Sequence, residues 1–137
     1  MKLLSIAIPC YNSQDYMAHC IESLLPGGED VEILIVNDGS KDDTAKIADE
    51  YAAKYPTIVK AIHKENGGHG SAVNTGIENA TGIYFKVVDS DDWVKEDAYL
   101  TILEKLRELT GGVDTLDLLI SIFVRKRGGT PQKGDAL

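Results

Sequence analysis

The chain has 137 residues, with 22 acidic and 14 basic side chains and a formal net charge of −8. That length suits one α/β domain with a core of its own. The acidic surplus counts against duplex nucleic acid as a partner, because such binding rests on a basic surface. The two cysteines, Cys10 and Cys20, make neither a disulfide framework nor a zinc motif, so both are read as reduced residues in or near the core.

Leu3 to Ile8 is apolar at nearly every position, which predicts a strand buried on both faces and broken at Pro9. This run is too short for a signal-peptide core with its cleavage site, and no apolar run approaches membrane-spanning length. The expected location is therefore cytoplasmic, at the inner face of a membrane if the chain is part of a larger protein. A helix should begin near Asn12 or Ser13, either of which can cap it, and bury Met17, Cys20, Ile21 and Leu24 before Pro26-Gly27-Gly28 stops it. Val31 to Val36 predicts a second buried strand. Ser40 with Asp43 resembles a capping box opening a helix that buries Thr44, Ile47, Ala48 and Tyr51 and closes at Tyr55-Pro56. Ile58 to His63 is shorter and more polar, as befits a strand nearer a sheet edge.

Glu65 to Ser71 then carries three glycines in four positions, letting the backbone approach a ligand closely. The spacing is not the dinucleotide fingerprint, and the loop follows the third strand rather than the first. A helix with Val73, Gly76, Ile77 and Ala80 inward should follow, its amino end able to face an anion. Gly82 to Val88 predicts a fourth strand, and a helix from near Glu96 buries Tyr99, Ile102, Leu103 and Leu106. Residues 116–124 predict a fifth strand. Residues 1–124 are thus taken as the domain. Residues 125–137, basic and glycine-rich without apolar period, are taken as a flexible tail, a basic binding patch being the alternative.

Strands alternating with helices predict an α/β fold of Rossmann-like type, a mostly parallel sheet with helices on both faces. Ligands of such sheets bind beyond the carboxyl ends of the strands. Tyr11-Asn12, Asn37-Asp38 and Asp89-Ser90-Asp91 all fall there. In extended backbone, residues two apart point the same way, so Asp89 and Asp91 can aim at one point while Asp92 turns away unless the chain bends. Two such carboxylates repel unless a proton or a divalent cation neutralises them. All-oxygen ligation favours magnesium, manganese or calcium over zinc. An acidic turn with a helix cap is the plain alternative, and Asp38 read alone is equally a turn residue before Gly39.

Ile8-Pro9-Cys10-Tyr11-Asn12, Val36-Asn37-Asp38-Gly39-Ser40, the stretch from Asn66-Gly67-Gly68 to Asn74-Thr75-Gly76, and Val88-Asp89-Ser90-Asp91-Asp92 together resemble the family 2 glycosyltransferases. The four motifs stand in the family's order and spacing over residues 3 to about 100. The resemblance implies a GT-A fold and transfer of a sugar, with inversion, from a nucleotide-diphosphate sugar (a UDP-sugar above others) to an acceptor hydroxyl on a glycan or lipid-linked or cell-surface polysaccharide. It implies that Asp38 accepts a hydrogen bond from the nucleobase and that Pro9 and Tyr11 wall the base pocket. Asn12, Gly68, Asn74 and Ser90 fall at donor-side positions. Asp89 matches the acid near the ribose or metal, and Asp91 the main protein ligand of a Mg²⁺ or Mn²⁺ ion on the donor's diphosphate.

The family's general base and acceptor site lie well beyond the Asp89 motif, so the base is expected beyond Leu137 and this chain is expected to be chiefly a donor-binding half. Asp92 is expected to cap the fourth helix or support Asp91. Trp93 is assigned to packing of that helix, with sugar stacking as the alternative. His69 is either a phosphate contact or a solvated loop residue, and His19 and His63 receive no role. Two other classes compete: a non-catalytic nucleotide-sugar-binding module, and a sugar-phosphate nucleotidylyltransferase. The latter is disfavoured because no Lys or Arg follows the first strand to hold a triphosphate.

Overall fold

The computed structural model describes residues 2–110 and the backbone of 124–126. Strands β1 (Leu4–Cys10), β2 (Val31–Asp38), β3 (Val59–Lys64) and β4 (Tyr84–Val87) form a parallel sheet in the order β3-β2-β1-β4. Between them run α1 (Met17–Leu24), a 3-10 helix (Leu25–Asp30), α2 (Thr44–Lys54) and α3 (His69–Asn79). After β4 come β5 (Asp92–Val94) and α4 (Glu96–Leu109), and a short β6 (Val124–Lys126) pairs antiparallel with β5. The expected fifth strand lies outside the described residues except at Val124, and β6 carries Arg125 and Lys126, which the sequence had placed in the tail.

Both faces of the sheet are covered, and register explains how. Leu4, Ile6, Ile8 and Cys10 of β1, with Ile33 and Ile35 of β2, share one core with α1, α2 and α4. The alternate residues turn to the opposite face, where a Cβ on Gly76 of α3 would lie 2.6 Å from the Ala7 Cβ. Only glycine allows α3 to seat this closely. Each fully buried Leu or Ile contributes about 1.5–3 kcal/mol, and these two strands are buried along their whole length. β3 sits at an edge and is half-buried, as its polar composition predicts.

β1 continues through Pro9 instead of ending before it. The Ala7 carbonyl accepts from the Val88 N–H on the β4 side, and Pro9, two residues on, turns the same way. Pairing with β4 has stopped by then, so the missing proline N–H costs no ladder bond. α1 starts at Met17 and not at Asn12 or Ser13: Asn12 has φ +50°, and the Ser13 carbonyl, not its hydroxyl, receives the Tyr16 and Met17 amides. Its buried face is Met17, Cys20, Ile21 and Leu24, as expected. The Ser40 capping box does not form, because the Ser40 hydroxyl accepts from the Asn12 amide and Asp42 Oδ1 takes the Thr44 N–H. On α3 the buried residues are Ala72 and Gly76, and Ile77 is exposed; the close approach to Ala7 rotates the helix onto its smallest side chains. α4 buries Tyr99, Ile102, Leu103 and Leu106 as expected.

Candidate active site at the carboxyl edge of the sheet

The loops after β1, β2, β3 and β4 meet beyond the carboxyl ends of the strands, and they are tied to one another. The Asn12 amide donates to Ser40 Oγ at 2.9 Å, and the Lys41 amide donates to Asn12 Oδ1 at 2.9 Å. Ser13 and Ser90, both buried, hydrogen-bond through their hydroxyls at 2.8 Å. Asn12 and Ser90 thus spend these hydrogen bonds joining loops. His63 closes a further tie, bonding Asn37 through Nδ1 and Asp49 through Nε2.

A cleft of about 280 Å³ opens among these loops, lined by Pro9, Cys10, Tyr11, Asp38, Asn66, Gly68, His69 and Ala72. Four sequence-derived site residues, Pro9, Tyr11, Asp38 and Gly68, therefore share one cavity. Tyr11 is 48% exposed, an aromatic ring left open at the cleft wall. Asn74 lies on the exposed face of α3 and outside this lining. Cys10 lines the cleft as an inert thiol, since burial pushes it up to about 12.

Asp38 is 3% exposed at the end of β2. Its Oδ1 accepts from Lys64 Nζ and the Gly67 amide, each at 2.9 Å, and its Oδ2 accepts from the Gly68 amide at 2.9 Å. Burial alone would raise this carboxyl. The bonds from Lys64 and the two glycine amides overcome that and hold it below the ordinary aspartate range.

Beside the cleft lies the acidic cluster. Asp89, Asp91 and Asp92 each place one carboxylate oxygen within 4.8 Å of the others. Asp92 does not turn away, because the Asp92 amide bonds the Asp89 carbonyl and bends the chain there. Nor does Asp92 cap α4: it opens β5, is 2% exposed, and the residue preceding the helix is Lys95. Asp89 and Asp91 are half-buried and reachable from solvent. Hard carboxylate oxygens in this arrangement fit Mg²⁺ or Mn²⁺, which keep several waters among their ligands. His69 Nε2 stands 4.0 Å from Asp89 Oδ1, so the cleft and the cluster adjoin. Trp93 stacks on His19 of α1, ring centroids 4.5 Å apart.

Sequence reasoning missed the Ser13–Ser90 bond and the Lys64–Asp38 pair. The first joins residues 77 apart and leaves no local signal. The second was accessible in principle, since Lys64 lies directly opposite Asp38 once the β2–β3 register is known.

This sheet order, with a carboxylate cluster after the fourth strand, fits a GT-A-type α/β domain. The likeness extends to solved structures: S. aureus TarS 1-349 matches with a TM-score of 0.67 and 30% identity, covering 81% of this chain and 33% of that one. The same TarS fragment in complex with UDP-GlcNAc matches with a TM-score of 0.67 at 29% identity, covering 80% of this chain and 32% of that one. The chain belongs to glycosyl transferase family 2, whose model matches residues 5–116. Among curated relatives, EpsH of Bacillus subtilis is 45% identical over 134 residues, covering 97% of this chain and 37% of EpsH. Glycosyltransferase GlyG of Streptococcus pneumoniae is 38% identical over 109 residues, covering 78% of this chain and 36% of GlyG. The chain thus spans just over a third of the length of either relative.

Proposed function

We propose that this chain forms the donor-binding part of a glycosyltransferase that moves a sugar from a nucleoside-diphosphate sugar, a UDP-sugar, to an acceptor hydroxyl with inversion. The observation that carries the reading is the junction of the cleft with the carboxylate cluster across the 4.0 Å His69–Asp89 approach. A nucleotide sugar needs an apolar slot for a flat base next to a place for a diphosphate, and these two features adjoin in that order. The UDP-GlcNAc complex of TarS supports the choice of donor. The acceptor class is a glycan or lipid-linked chain of a cell-surface polysaccharide. Action at the cytoplasmic face of a membrane fits that class, and no described helix is long and apolar enough to cross one.

In this reading Pro9 and Tyr11 flank the base, Asp38 accepts a hydrogen bond from its edge, Gly68 lies beside it, and Asn12, Ser90 and Asn74 belong to the surrounding donor-side framework. Asp89 and Asp91 hold a divalent cation, which when bound supplies Lewis-acid stabilisation of the charge growing on the leaving diphosphate. Asp92, buried behind them, supports their placement. It is shielded from an acceptor, and the general base is assigned to none of the three. Residues 1–124 make up this donor-binding domain, and the pairing of β6 with β5 carries it on to Lys126.

Calorimetric titration with UDP, GDP and dTDP, each with and without Mn²⁺, tests the reading. We expect one nucleotide to bind, UDP, with an affinity that depends on Mn²⁺ and is lost in Asp91→Ala. A folded sample that binds none of the three, or binds equally well without metal and in the variant, overturns it.

A further inference from the structure

Lys64 does not line the cleft, yet it stands behind the loop that does. It is the last residue of β3 and pairs in register with Asp38, the last residue of β2. Its Nζ donates to Asp38 Oδ1 at 2.9 Å and to the Glu65 carbonyl at 2.6 Å. The same Oδ1 receives the Gly67 amide, and Oδ2 receives the Gly68 amide. A Cβ on Gly67 would lie 3.0 Å from Lys64 Nζ, so the ammonium sits directly against the loop backbone. From the other side the loop rests on Gly39, where φ is +71° and a Cβ would lie 2.6 Å from the Asn66 amide nitrogen. The pair is shielded, with side-chain exposures of 19% for Lys64 and 5% for Asp38, so salt screens it weakly.

We propose that Lys64 is a positioning residue of the donor site: its ammonium fixes the Asp38 carboxylate, which in turn fixes the Gly67 and Gly68 amides, so the loop is set before a nucleotide arrives. A carboxylate has about four acceptor positions. Lys64 and Gly67 fill those of Oδ1. At Oδ2 the Gly68 amide fills one, and Asn66 Nδ2 reaches the other only at a long 3.4 Å. The clasp therefore leaves Oδ2 as the atom at which a base N–H is received, by displacing the weakest of its bonds. Preordering of this kind raises affinity by removing the cost of arranging the loop on binding. Its bearing on nucleotide affinity rests on the donor-site reading above, whereas the clasp does not.

The test compares the 137-residue chain with Lys64→Met and Lys64→Arg. Amide hydrogen exchange at Gly67 and Gly68 is measured without nucleotide, and UDP affinity is measured with Mn²⁺. In Lys64→Met we expect both loop amides to exchange about ten-fold faster and UDP to bind about ten-fold more weakly. Exchange at Ile33 and Ile35 of the central strand should not move, which separates loop release from general destabilisation. Lys64→Arg should restore most of the loop protection and the affinity. Should Lys64→Met fail to fold, Lys64→Gln, which removes the ammonium facing Asp38 and keeps a polar side chain, serves in its place with the same expected changes. Unchanged loop exchange overturns the clasp. Faster exchange with undiminished UDP affinity overturns the positioning role. A wild-type chain that binds no nucleotide refutes the donor-site reading instead, and the exchange data still decide the clasp.

Discussion

At the amino-terminal end of the sheet, away from the cleft, Glu32 is 1% exposed on the central strand β2. Its carboxylate accepts from Ser5 Oγ at 2.7 Å, Lys60 Nζ at 2.6 Å, and the Thr81 amide and hydroxyl at 2.9 Å each. Three segments distant in sequence are thereby tied through one side chain. Burial alone would raise this carboxyl, but Lys60, Ser5 and Thr81 bring it from 4.5 down to about 2. A folded value below the unfolded one means the ionised form stabilises the fold. That stability is fully present above pH 4.5 and is lost as pH falls toward 2. At roughly 1.4 kcal/mol per unit, the ionised carboxylate contributes about 3 kcal/mol near neutrality. The same linkage leaves about 1.5 kcal/mol at pH ~3. Glu32→Gln removes the ionisation while keeping the shape. Urea unfolding of both proteins at a series of pH values between about 7 and 3 should therefore give a stability difference that shrinks by about half or more on acidification. A difference that stays flat with pH would refute the reasoning, because it would mean that the charge of Glu32 contributes nothing beyond its hydrogen bonds.

Gly76→Ala should destabilise the chain by about 1–3 kcal/mol in chemical denaturation, because its methyl meets the Ala7 Cβ at 2.6 Å between two rigid backbones; a neutral result would mean that α3 can lift off β1. Tyr99→Phe removes the buried hydroxyl that donates to the Leu24 carbonyl at 2.8 Å. It should cost about 1–3 kcal/mol in thermal or urea unfolding, since the carbonyl loses that donor. Cys10 and Cys20 are buried, and burial raises both thiols, Cys10 to about 12. Both should react with a thiol reagent at pH ~8 only as fast as the protein opens, and fully in denaturant; rapid labelling of the native chain would contradict their placement.

Much of the fold was legible because its local and long-range signals agree. The apolar runs at β1 and β2 have no face to spare for water, which requires a parallel sheet covered on both sides. The period on α1 and α4 named all four buried residues of each helix. The sequence reading failed where a tertiary partner outbid a local preference. Ser13 and Ser40 have the chemistry of helix caps, but their hydroxyls are taken by Ser90 and by the Asn12 amide. Ile77 looks like a core residue, yet α3 turns it outward so that Ala72 and Gly76 can lie flat on the sheet.

At the candidate site the same division holds. The residue types and their order were sufficient to place Asp38, the glycine loop and the Asp89–Asp92 run beyond the strand ends, because strand ends and carboxylate spacing are local properties. Whether Asp92 joins its neighbours depended on a bend closed by one backbone hydrogen bond. Which cation faces Asp38 depended on the register between β2 and β3. A sequence determines what each strand can bury and what it delivers at its end. Only the assembled sheet decides which delivered groups meet, because a hydrogen bond has a reach of about 3 Å and the residues that make these bonds stand dozens of positions apart.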